Sequence, residues 1–92
     1  MYKRQIIYLE ADGIYTDVHS QDKKRVTTSR MGDLEGKLSA KGFFRIHRSY
    51  MVNLARIIQY MRGDGGTVIM ENNAQLPVAR NRKEEFLKRL GM

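Results

Sequence analysis

Ninety-two residues leave room for one hydrophobic core, so residues 1–92 read as a single domain. Seventeen Lys and Arg against ten Asp and Glu give a formal charge of +7, and the pI is near 10.0. That is the balance of a polyanion binder, although simple solubility also accounts for a net charge of up to about 8. The 41% hydrophobic content argues against disorder, and the absence of cysteine excludes a disulfide framework and a thiolate metal site. The lack of cysteine fits a reducing, cytoplasmic setting. No run of about 18 apolar residues and no lipidation motif is present, so no membrane contact is expected of this domain.

In chain order, residues 1–4 read as the remnant of a linker from an upstream domain. Residues 5–10 form a short apolar strand, Asp12-Gly13 a turn, and residues 14–20 a second strand with rough alternation. Residues 21–24 are a polar turn before a third strand over 25–28. A helix is predicted over about 29–40, with Ser29 as N-cap and Met31, Leu34 and Leu38 at helical spacing. Gly32 and Gly36 weaken it by roughly 1 kcal/mol each relative to Ala, so it needs tertiary packing. Gly42 stands where a stop is wanted. Further on, residues 56–62 and 67–71 are strands joined by Gly63-Asp64-Gly65-Gly66, Asn72-Asn73 is a tight turn, and residues 74–78 close the sheet. The last helix spans 82–90, with Phe86, Leu87 and Leu90 on one side and Asn81 with Glu84 as a capping-box-like start. The fold class is therefore mainly β: small antiparallel sheets with two short helices.

Residues 43–53, FFRIHRSYMVN, carry the most information. Phe44, Ile46, Tyr50 and Val52 fall at even positions. Arg45, His47, Ser49 and Asn53 fall at odd positions, with Arg48 an extra basic group at the break. In extended chain the apolar set packs inward, and the polar set faces out with donors suited to phosphate oxygens and base edges. An ordinary half-buried strand shows the same alternation.

Catalysis is poorly served. His19 and His47 are the only imidazoles, and a zinc site would have to join them to carboxylates distant in sequence. Asp12, Asp17 and Asp22 do not have calcium-loop spacing. The His47–Ser49 pair reads as structural. The glycine-rich loop at 63–66 lacks the Gly-Lys-Ser/Thr of a phosphate-binding loop. No enzyme activity, cofactor or metal is expected.

The 43–53 stretch resembles the core motif of the LytTR DNA-binding domain, the output module of many bacterial response regulators. Phe44, Arg45, His47, Arg48, Ser49, Tyr50, Val52 and Asn53 match it in order. Ile7, Tyr8, Leu9 and Glu10 are similar to the family's opening strand. Leu76, Pro77, Val78, Ala79 and Arg80 are similar to its closing segment, with Ala79 where the family often has Ser. The likeness spans roughly residues 6–90. It implies an elongated β domain that inserts loops into successive major grooves of double-stranded DNA, over paired direct repeats about one helical turn apart. It also implies an upstream receiver domain, and a domain that is monomeric alone and paired on DNA.

By motif position, the resemblance puts base contacts at Arg48, at Asn81 with Arg80, and around Tyr15 and Thr16. Arg45, His47, Ser49, Arg82 and Lys83 are the candidates for the DNA backbone. The chemistry suits these places: Arg bridges guanine O6 and N7, and Asn bridges adenine N6 and N7. Local alternatives stay open. Asn81 can be a helix cap, Tyr15 a cross-strand packing residue, His47 a partner within its turn, and Asn53 a turn-fixing amide. Two rival classes also remain. One is a module for single-stranded RNA, stacking bases on Tyr2, Tyr8, Tyr15, Phe43, Phe44, Tyr50 and Tyr60. The other is a protein-interaction domain with an exposed apolar patch.

Overall fold

The structure, a computed structural model, describes residues 3–91. Met1 and Tyr2, half of the segment read as a linker remnant, lie outside the described residues, as does Met92. Lys3–Gln5 is a single 3-10 turn, and the Arg4 carbonyl accepts from Arg56 Nε at 3.0 Å and Nη2 at 2.6 Å. The described residues form two antiparallel sheets and two short helices. The first sheet holds β1 (Tyr8–Asp12), β2 (Tyr15–His19), β3 (Lys24–Thr27), β4 (Phe43–His47) and β5 (Tyr50–Asn53), in the order β3-β2-β1-β5-β4. The second holds β6 (Ile57–Met61), β7 (Thr67–Met70) and β8 (Gln75–Pro77) in sequence order. Helix α1 is Met31–Leu38 and α2 is Lys83–Arg89. This is the mainly β class that the sequence predicts.

The 43–53 stretch is a hairpin and not one strand. β4 turns back through Arg48 and Ser49 into β5, with a register shift between Arg45 and His47. Both faces of this hairpin are covered. Phe43, Met51 and Leu9 pack on Met31 and Leu38 of α1. Phe44, Ile46 and Val52 pack on the other face against Val68, Met70 and Leu76 of the second sheet and Phe86 of α2. A polar face open to solvent therefore does not exist here. Arg45 points toward α1, and Asn53 is buried. The Asn53 amide donates to the Ile6 carbonyl at 2.8 Å and accepts from the Ala55 N–H at 3.1 Å, so it fixes the chain as it leaves β5.

Both predicted caps differ from what forms. Arg30 occupies the N-cap of α1, without a side-chain bond. Ser29 is tied instead into the exit from β3: its N–H donates to Thr27 Oγ1 at 3.2 Å, and its carbonyl accepts from Thr16 Oγ1 at 2.7 Å. Asn81 does not cap α2. It sits inside a 3-10 turn, Arg80–Arg82, that leads into the helix, and Arg82 takes the N-cap position, also without a side-chain bond.

Candidate nucleic-acid interface

Two side chains of its own hairpin hold the Arg48-Ser49 turn. The Ser49 N–H donates to His47 Nδ1 at 3.1 Å. Arg45 Nη2 donates to the Arg48 carbonyl at 2.6 Å, and Arg45 Nη1 pairs with Glu35 of α1 at 3.1 Å. The Arg45 side chain is only 19% exposed, and its Nε is buried without a partner. Its guanidinium is engaged with the protein, which changes its role from a solvent-facing cation to a brace. The Arg48 side chain is exposed, and among the described residues it pairs with no acidic group.

A second turn is fastened beside the first. The Ala79 N–H donates to the Ile46 carbonyl at 2.7 Å, and the Val78 N–H to the Gly66 carbonyl at 3.0 Å. These bonds join the segment after β8 to β4 and to the β6–β7 loop. Between the two turns runs a groove of about 430 Å³ lined by Arg45, His47, Arg48, Ala79, Asn81 and Arg82. Asn81 is exposed, and its side chain makes no hydrogen bond among the described residues. Arg80 meets Asp64 at 3.5 Å, but both side chains are more than four-fifths exposed. Such a pair holds a side chain weakly and yields easily to a stronger anion. Lys83 opens α2, half-buried.

A third turn joins them at the same end of the sheet. β1 runs antiparallel to β5 with Glu10 opposite Tyr50, and the Ala11 N–H donates to the Ser49 carbonyl at 2.8 Å. The Gly13-Ile14 turn between β1 and β2 therefore follows directly beside Arg48-Ser49. Tyr15 at its base is 45% exposed and Ile14 at its tip 58%. Tyr15 is thus no cross-strand core residue. Thr16 is fully buried, with its hydroxyl committed to Ser29, so its side chain offers nothing to a ligand in this conformation. Sequence reasoning missed Ile14 and Glu35. An apolar residue after Asp-Gly marks a possible turn tip, but nothing ten residues upstream of Arg45 marks Glu35 as its partner.

A small basic β domain that gathers cationic turns at one end of a sheet belongs to the class of nucleic-acid-binding modules. The LytTr DNA-binding domain family matches residues 2–91, and the chain belongs to that family. It is 30% identical over 95 residues to the transcriptional regulatory protein LytR of Staphylococcus aureus, covering 100% of this chain and 39% of that one. It is 39% identical over 70 residues to the CO-responsive transcriptional regulator RcoM of Rhodospirillum rubrum, covering 75% of this chain and 30% of that one. Among solved structures, it is similar to the LytTr DNA-binding domain of a Bacillus cereus protein described as a methyl-accepting/DNA response regulator. The TM-score is 0.88 at 26% identity, covering 97% of this chain and 84% of that one. The chain thus spans about a third of the length of the curated relatives it matches. It is a DNA-binding domain of the kind found in transcriptional regulators and not an enzyme. No helix among the described residues is long and apolar enough to cross a membrane.

Proposed function

We propose that this chain reads specific duplex DNA through its three clustered turns, as the output domain of a two-component response regulator. Arg48 and Asn81 are the base readers, side by side on one stretch of the duplex, with Arg80 beside Asn81 and Tyr15 flanking a further contact. Arg82, Lys83, Ser49 and His47 face the phosphates. Arg45 and Thr16 act from behind, as supports of the turns. The observation that carries this reading is the bond from the Ala79 N–H to the Ile46 carbonyl, which lines up Arg48 and Asn81 along one groove. The likeness to the Bacillus cereus response-regulator domain supports a receiver as the input. The likeness to CO-responsive regulators favours a second reading, in which a ligand sensor takes the receiver's place.

The test is a salt titration of duplex against single-stranded DNA and RNA, after selection of a preferred site. With roughly 5 phosphate contacts, the logarithm of the affinity falls with a slope of about −4 to −5 against the logarithm of salt. Arg48→Ala costs about 1–3 kcal/mol on the preferred site and flattens discrimination at one base pair. Asn81→Asp loses specific binding, because it removes the amide donor and adds a negative charge among phosphates. Its melting temperature stays put, since the amide caps nothing. Equal or tighter binding to single strands, or an unchanged base preference in Arg48→Ala, defeats the reading.

A further inference from the structure

One cluster of ligating groups takes no part in this groove. Glu10 on β1 and Asp17 on β2 stand directly opposite each other, two carboxylates side by side. Like charges so placed repel. His19 lies two residues beyond Asp17, on the same face of the sheet, with Nε2 at 3.2 Å from Glu10 Oε1. One ligand atom from each of the three residues lies within 4.8 Å of the other two.

Asp17 makes the cluster more than an acidic patch. It is 7% exposed, and among the described residues no hydrogen bond or ion pair reaches its carboxylate. The edge strand does not relieve it, because Val26 stands opposite Asp17 and Lys24 opposite His19. Its oxygens keep contact with solvent, so a carboxylate that is otherwise enclosed and takes no donor from the protein stays open to a bound cation. The surroundings are also preorganised. Tyr8 stacks on the His19 ring at 4.2 Å between centroids and 10° between planes, which fixes the imidazole plane.

We propose that Glu10, Asp17 and His19 form a binding site for one divalent transition-metal ion, with one nitrogen and two oxygen ligands and water completing the coordination. Tetrahedral zinc with bonds of about 2.0–2.1 Å sets its ligand atoms about 3.3 Å apart. His19 and Glu10 already have that separation, and Asp17 closes the remainder by rotating its side chain. The imidazole selects against calcium and magnesium, which take oxygen alone, and the lack of thiolate suits zinc, manganese or iron(II). The ion would clamp β1 to β2 behind the Gly13-Ile14 turn. The proposal stands apart from the DNA reading and does not depend on it.

The experiment strips the full chain with a chelator and titrates it with Zn²⁺ by calorimetry and with Co²⁺ by visible absorption. The ring nitrogens of His19 and His47 are followed by NMR. The expected result is one ion per chain at micromolar affinity or tighter, a raised melting temperature, and a coordination shift at His19 and not at His47. Asp17→Asn and His19→Gln each weaken binding by about tenfold or more, while His47→Gln binds as the wild type does. Should either of the first two variants fold poorly, the wild-type NMR titration still decides by itself. No binding by the wild type, a shift at His47, or undiminished binding by folded Asp17→Asn and His19→Gln overturns the proposal.

Discussion

Arg45 and Arg48 look alike in sequence, three residues apart in one basic motif, yet the structure gives them opposite tasks. Arg45 is folded back between Glu35 and the Arg48 carbonyl, and Arg48 is left outside. Which arginine holds and which reaches is a matter of tertiary contact. The resemblance puts Arg48 on the bases and Arg45 on the DNA backbone, but the brace was not legible, because Glu35 lies on a helix that the sequence does not connect to the hairpin. Glu35→Gln tests the division. It raises the formal charge by one, from +7 to +8, and so should strengthen every DNA complex if bulk electrostatics governed. A brace predicts the reverse for the specific site. Neutralising Glu35 weakens a partly buried, charge-assisted bond, at about 1 kcal/mol, and lets the turn relax. Affinity for the preferred site should fall several-fold, while affinity for random duplex holds or rises. Combined with Arg45→Met, the two losses should be clearly less than additive. Equal tightening on both DNAs would show that the ion pair does not support the turn.

Among the elements, the strands were the easiest to foresee, because β-branched and aromatic residues alternate between clear turn signals. The hairpin loops at 63–66 and 72–73 form where expected, with β6, β7 and β8 around them. Period-two reasoning failed in one respect. It assigned a single buried face to residues 43–53, whereas α1 covers the second face and buries Phe43 and Met51. Adjacent phenylalanines are the signal that was available, since successive residues in a strand point to opposite faces. The cap predictions failed because each helix starts one residue later than foreseen: the Ser29 backbone is bound to Thr16 and Thr27 and Arg30 takes the N-cap, while Asn81 lies within the 3-10 turn before α2. The glycines divide by element in the same way. Gly65 lies under the segment that carries Asn81, and a Cβ there would overlap the Val78 carbonyl. Gly65→Ala must push the end of β8 outward, so it should cost about 1–3 kcal/mol in chemical denaturation and weaken specific DNA binding as well. Gly36 in α1 meets open space, so Gly36→Ala should gain up to about 1 kcal/mol and leave binding unchanged. If Gly65→Ala melts and binds like the wild type, the 63–66 loop does not position the C-terminal turn.

For the whole molecule, charge was the most legible property, but its distribution was not. Ion pairs with carboxylates engage Arg45, Arg56 and Arg80, while Arg48, Arg82 and Lys83 near the groove pair with no acidic group among the described residues. Size adds a constraint that composition cannot supply. The Cα envelope measures 32 × 23 × 22 Å. One turn of B-DNA rises about 34–36 Å over about 10–10.5 base pairs. A domain of this length occupies about one turn, so two copies in head-to-tail array fit on one face of the duplex only when their sites repeat at that period. Direct repeats spaced about 10 or 21 base pairs centre to centre should therefore bind two copies on the same side. At about 10 base pairs the neighbours come close enough to touch, and the second copy should bind several-fold tighter than the first. Adding about 5 base pairs carries the second copy half a turn around the helix. That contact is then lost, and each site should titrate with single-site affinity. Gel-shift isotherms on probes of the three spacings measure this directly. Identical isotherms at all three would mean that the copies bind independently, and that any pairing on DNA comes from another part of the regulator.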